Sequence, residues 1–257
     1  MFVLLAAYLF GSLQELDVSL EQASHIAEKI WYHESNHQPD QTNLMIFWNE
    51  VEPFPSIGIG HFIWPPESYQ GPFTSGRFHR FIQFMKEKEV TIPKWLEESR
   101  YCPWETREEF YAAIHSDQMQ ELKDLLQNTT SYQALYMIER LKMFYEELID
   151  TTDHLAIFHF HKMLATPQGL YILTDYLNFK HEGTNPQERY CNEGWGLLQV
   201  LQTMNLEEIP EPQSAFVTAA KRLLKNRTSH APNPAMEALW LPNWFLRLDS
   251  YIERGLI

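Results

Sequence analysis

A chain of 257 residues can fill one large domain or two lobes sharing a core, and its 44% apolar and 21% charged content excludes a disordered protein. Thirty-four acidic against 20 basic side chains leave a net charge of −14. That balance argues against nucleic acid, whose binders displace counterions with basic groups, and against adhesion to anionic membranes; a neutral sugar polymer stays open, because the overall field acts mainly on encounter rate.

The chain opens on an apolar run, residues 1–12, of signal-peptide length but without a basic n-region or an A-x-A site. It reads either as a secretory segment, which would make the protein extracytoplasmic, or as a buried helix. We therefore set 1–18 apart from a single domain at 19–257. A first helix is expected from Ser19 to about Tyr32. Ser19 and Gln22 have capping-box spacing, and Ala23, Ile26, Ala27 and Ile30 share one face. The pattern then changes. Leu44–Trp48 is a short apolar run, Asn49–Pro55 a loop with two prolines, and Ser56–Trp64 alternates, which together predict a β-hairpin. In that second strand Ile57, Ile59, His61 and Ile63 would share one side, with Gly58 and Gly60 on the other.

Helical spacing recurs at 77–88, 105–115, 117–127, 132–148, 153–164, 168–178, 194–204 and 213–225. Proline-bearing joints near 65–72, 93, 103, 167, 186, 210–212 and 232–234 separate these segments. The expected fold is α+β, mostly α: a helical body with a small hairpin in its N-terminal third. Segments 65–74 and 180–193 are candidate loops at the rim of a cleft. Cys102 and Cys191 could form one bridge or remain free thiols. Asp153, His154, His159 and His161 lack the i, i+4 histidine pair of a zincin, so no metal and no cofactor is expected.

The chemistry concentrates at 34–61. Glu34 lies four positions beyond Ile30 and continues the apolar face of the first helix. A carboxyl there either ends the helix in solvent or is partly desolvated, and desolvation raises a carboxyl pKa toward neutrality, as a general acid requires. Glu50 and Glu52 follow in the hairpin loop, and then Ser56-Ile57-Gly58-Ile59-Gly60-His61. Here the sequence resembles the phage-type lysozymes, whose motif is a helix-ending Glu, a loop Asp, and Thr-Ile-Gly-Tyr/Ile-Gly-His on a strand. Ser56 stands in place of the Thr and Glu50 in place of the Asp. The resemblance implies a lysozyme-like fold that cleaves a β-1,4-linked amino-sugar polymer, with peptidoglycan the expected partner. It implies Glu34 as general acid, Glu50 as second carboxylate projecting into the cleft, Ser56 as a holder of the attacking water and His61 as a structural residue. Glu52, restricted by Pro53-Phe54-Pro55, is expected to be solvent-facing or structural, and it is also close enough to Glu50 to take the second carboxylate's role instead. Such cleavage needs an acid on one side of the bond and a negative group on the other.

Glu34-Ser35 also resembles the Glu-Ser pair of lytic transglycosylases, whose Gly-Leu-Met-Gln has its nearest counterpart far downstream at Gly196–Gln199. Chitosanases share the lysozyme-like fold, and an acidic cleft would suit their cationic polymer. A catalytically silent glycan-binding protein is the alternative outside enzymes. Asn178, Tyr190, Trp195 and Gln199 lie in a segment rich in polar and aromatic residues. They are candidate sugar contacts, or else pack and cap the helix at 194–204.

Overall fold

The computed structural model describes residues 16–35, 37–71, 77–166 and 168–252; the apolar N-terminal run lies outside them. The described residues form eleven α-helices and one three-stranded antiparallel sheet, the mostly helical α+β architecture expected. None of these helices is long and apolar enough to cross a membrane. The chain divides into two compact units, one of residues 18–137 and one of residues 138–257 together with Met1–Asp17.

The N-terminal unit begins with α1 (Leu20–Glu34), where Ser19 and Gln22 do form a capping box and Ala23, Ile26, Ala27 and Ile30 are buried. A 3₁₀ turn at Thr42–Met45 leads into β1 (Ile46–Phe47), followed by β2 (Ser56–Ile57) and β3 (Phe62–Ile63). The single strand expected at Ser56–Trp64 is therefore two strands, folded back on each other. Gly58 adopts φ 79°, and the His61 N–H donates to the Gly58 carbonyl at 3.1 Å. That turn flips the register. Ile46, Ile57 and Phe62 align as one row, and Phe47, Ser56 and Ile63 as the other. The first row is buried, whereas Phe47 is exposed and Ser56 and Ile63 are half-buried. Phe62, not Ile63, thus shares the inner face with Ile57.

Packing on this sheet are α2 (Arg77–Glu87), α3 (Lys94–Glu98), α4 (Arg107–Ala112), α5 (Asp117–Asn128) and the first turns of α6 (Thr130–Asp150). The core is aromatic. The Phe62 ring lies 5.2 Å from Phe81 and 5.3 Å from Tyr136, and Trp64 lies 4.7 Å from Phe78. Rings of this size bury 150–250 Å² each and supply most of the driving force in so small a core. The fully buried Gln133 of α6 pins the β2–β3 turn: its Oε1 accepts from the Ile59 N–H at 2.7 Å, and its Nε2 donates to the Leu126 carbonyl at 2.8 Å. A Cβ on Gly58 would stand 2.3 Å from that Oε1. The glycine lets a helix side chain approach the turn.

The C-terminal unit contains the rest of α6 and α7 (His154–Leu164), α8 (Gly169–Lys180), α9 (Leu197–Thr203), α10 (Pro212–His230) and α11 (Pro234–Ser250). Its core holds a buried polar group: Arg247 donates from Nε and Nη2 to Asp175 at 2.9 and 2.6 Å, and the Tyr251 hydroxyl bonds the same carboxylate. A buried charge is tolerated only when paired in this way. Helix α11 and the short α3 were not expected from the sequence. Pro232 and Pro234 read as a joint, yet Pro234 occupies the first helical turn and the Asn233 side chain caps it by accepting from the Met236 N–H. Leu239, 76% exposed, faces solvent there and blurs the helical periodicity.

Candidate functional site

Helix α1 ends where the sheet begins, and Glu34 meets the sheet through His61. The His61 Nδ1 lies 3.1 Å from Glu34 Oε2, with only 14% of the Glu34 side chain exposed. The imidazole reaches this position because His61 adopts a left-handed φ of 46°, a conformation that costs a non-glycine residue roughly 1 kcal/mol or more. His61, expected to be structural, pairs with the residue expected to carry the proton.

The loop between β1 and β2 decides which glutamate joins this pair. The Glu50 side chain is 81% exposed and lies 3.5 Å from Arg107 Nη2. Glu52 behaves differently. Solvent reaches the residue, but the protein packed around its carboxyl desolvates it and pushes its pKa up, while the nearby His61 charge pulls in the opposite direction. The two loop carboxylates differ in their surroundings: Glu52 is near enough to His61 to feel its charge, and Glu50 is tied to Arg107. Spacing from Ser56 could not reveal this, since it depends on contacts made from α4, about 60 residues further along.

Glu50 and Glu52 line a cleft of about 400 Å³ whose walls include Trp48, Tyr69, Glu105 and Arg107. Behind its wall Phe54 packs edge-on to Tyr69 with ring centres 5.4 Å apart. Ser56 stands half-buried on the outer row of the sheet. Ser35, by contrast, is fully buried and directs its hydroxyl to the Tyr32 carbonyl at 3.4 Å, so it takes no part in the cleft.

The four candidate sugar contacts belong to the other unit, and each has an internal partner. Buried Asn178 accepts from Arg140 Nη1 at 3.4 Å. The Tyr190 hydroxyl donates to Glu237 at 3.3 Å. Trp195 is buried; its carbonyl accepts from the Tyr176 hydroxyl at 2.8 Å, and the Arg227 guanidinium covers its ring at 4.4 Å. Gln199 caps α9, accepting from the Gly196 N–H at 3.1 Å and donating to the Gly183 carbonyl at 2.9 Å. These contacts account for the four residues as packing and capping groups.

Compared with known protein families, curated proteins and solved structures, the chain matches none. Cys102 is buried, its thiol pushed up to about 12 by desolvation, and Cys191 is exposed; both are free thiols. The histidines read against a metal site have other partners. His159 Nδ1 lies 2.6 Å from the Leu201 carbonyl, and His161 Nε2 lies 3.0 Å from the Tyr145 hydroxyl.

Proposed function

We propose that this chain is a glycoside hydrolase of lysozyme type, acting on an amino-sugar polymer, with peptidoglycan the leading substrate and Glu34 and Glu52 the working carboxyls. The observation that carries this reading is the Glu34–His61 pair at the end of α1, 3.1 Å apart, with the partly desolvated Glu52 near enough to His61 to feel its charge. Glu34 donates the proton to the leaving oxygen and recovers one through His61 Nδ1. Glu52 serves as the opposing carboxylate; its raised pKa makes it a stronger base than an ordinary glutamate and suits it to draw a proton from water. The cleft beside Glu52, with Trp48 and Tyr69 in its wall, offers aromatic surface to a sugar ring. Ser56, which the resemblance to phage-type lysozymes makes a holder of water, keeps that role here. Access to peptidoglycan would require an extracytoplasmic location.

The transglycosylase reading weakens because the Ser35 hydroxyl is committed to the Tyr32 carbonyl. Mass spectrometry of products from purified peptidoglycan tests the proposal. Hydrolysis leaves reducing ends and transglycosylation leaves anhydro ends. Glu34→Gln should fold normally and lose cleavage by about a hundredfold or more, the scale of even modest general acid catalysis. An intact wild-type digest on peptidoglycan and on chitosan would reduce the protein to a silent glycan binder and overturn the enzyme reading.

A further inference from the structure

We propose that Arg107 and Tyr111 of α4 are positioning residues that hold the β1–β2 loop so that Glu52 stays in the cleft. The inference rests on the reading of Glu34 and Glu52 as the working pair. The loop needs an external anchor, because each flanking strand is only two residues long. Its own ties are slack: the Glu52 N–H reaches the Asn49 carbonyl at 3.3 Å, and the Val51 N–H reaches Asn49 Oδ1 at 3.3 Å.

The anchor comes from α4. Arg107 and Tyr111 are four apart, so they share one helix face. The Tyr111 hydroxyl bonds Trp48 twice, accepting from its N–H at 3.1 Å and donating to its carbonyl at 3.2 Å. Arg107 Nε donates to the same carbonyl at 2.9 Å, while the guanidinium lies 4.7 Å from the Tyr111 ring centre. Trp48 is 3% exposed, packs edge-on to Phe110 at 5.5 Å, and donates from its indole Nε1 to the Glu52 carbonyl at 2.8 Å. A continuous path therefore runs from α4 through Trp48 to the backbone of Glu52. The ion pair from Arg107 to Glu50 makes Glu50 a second tie on the same loop. A displacement of about 1 Å at a reacting group costs on the order of a hundredfold in rate, so the clamp acts on turnover more than on substrate affinity.

Tyr111→Phe tests this without changing any charge. In the folded variant, kcat should fall at least tenfold with KM little altered. Titration of the Glu52 carboxyl by carbon-13 NMR should show its pKa falling toward the ordinary glutamate value, as the loosened loop lets water in. Arg107→Gln separates positioning from simple electrostatics. Among the charged groups of the site, His61, Glu50, Glu105 and Glu108 are retained. Loss of the positive charge alone would raise the Glu52 pKa, whereas loss of the anchor lowers it. Wild-type kcat and wild-type Glu52 titration in folded Tyr111→Phe, or a raised Glu52 pKa in Arg107→Gln, would overturn the proposal. Should Arg107→Gln fail to fold, Tyr111→Phe decides. Should the wild-type protein cleave no glycan, the hydrolase reading falls, while the NMR titration still decides whether the clamp exists.

Discussion

Two segments of this protein are rich in polar and aromatic side chains, and they use them in opposite ways. In 181–199 several of those groups are tied to the fold itself: Gln199 closes the loop onto its own helix, and His181 Nδ1 meets Glu188 at 2.6 Å. In 48–61 the backbone is secured from outside by Gln133, Arg107 and Tyr111, which leaves the carboxyls of Glu50 and Glu52 along an open cleft. Composition does not separate the two. The distinction lies in whether a polar group is spent on the fold or held by it for something else.

Substitutions can break this contrast. The largest effect belongs to the second segment and its helix: Glu34→Gln should remove turnover by about two orders of magnitude or more while thermal unfolding stays near that of the wild type. In the first segment the signature inverts. Gln199→Ala removes the partners of two buried backbone groups and should cost about 1–3 kcal/mol in urea unfolding, with turnover per folded molecule unchanged. A stable Gln199→Ala variant with weakened glycan binding would return this residue to the substrate site.

The smallest effect is a pH dependence. Burial raises the Glu52 pKa in the folded chain, so its ionisation is resisted by the fold and costs stability as pH rises through that value. Glu52→Gln cannot ionise. Its Tm should therefore equal that of the wild type below about pH 4, the ordinary glutamate range, and exceed it at neutral pH. A Tm difference that is constant from pH 3 to 8 would mean that folding leaves the Glu52 pKa unshifted.

Much of the fold was legible because its signals are local. Ser19 and Gln22 announce the start of α1, and four apolar residues spaced along one face announce its burial. The hairpin region was legible for the same reason, but its inner register was not. Gly58 and His61 turn the chain with left-handed backbone, and an alternating pattern gives no sign of where such a turn falls. The site was half legible. Glu34 stood out by continuing an apolar face, whereas the raised pKa of Glu52 comes from the protein packed around its carboxyl, against the pull of His61, on a loop held by Trp48, Arg107 and Tyr111. Those residues come together only through tertiary contacts, and nothing in the spacing of Glu50, Glu52 and Ser56 encodes them. Asn178, Tyr190, Trp195 and Gln199 are ambiguous in the sequence for the converse reason, since the groups that bind sugars also cap helices and fill cores.

The most direct test sets the two loop glutamates against each other. Glu50→Gln and Glu52→Gln are assayed side by side on purified peptidoglycan, with product ends counted by mass spectrometry and folding checked by circular dichroism. Glu52→Gln should lose turnover by about a hundredfold or more, while Glu50→Gln, which loses only an exposed ion pair to Arg107, should fall by no more than about tenfold, a loss of roughly 1 kcal/mol of transition-state stabilisation. Full activity in Glu52→Gln together with an inactive, folded Glu50→Gln would contradict the assignment of Glu34 and Glu52 as the working pair.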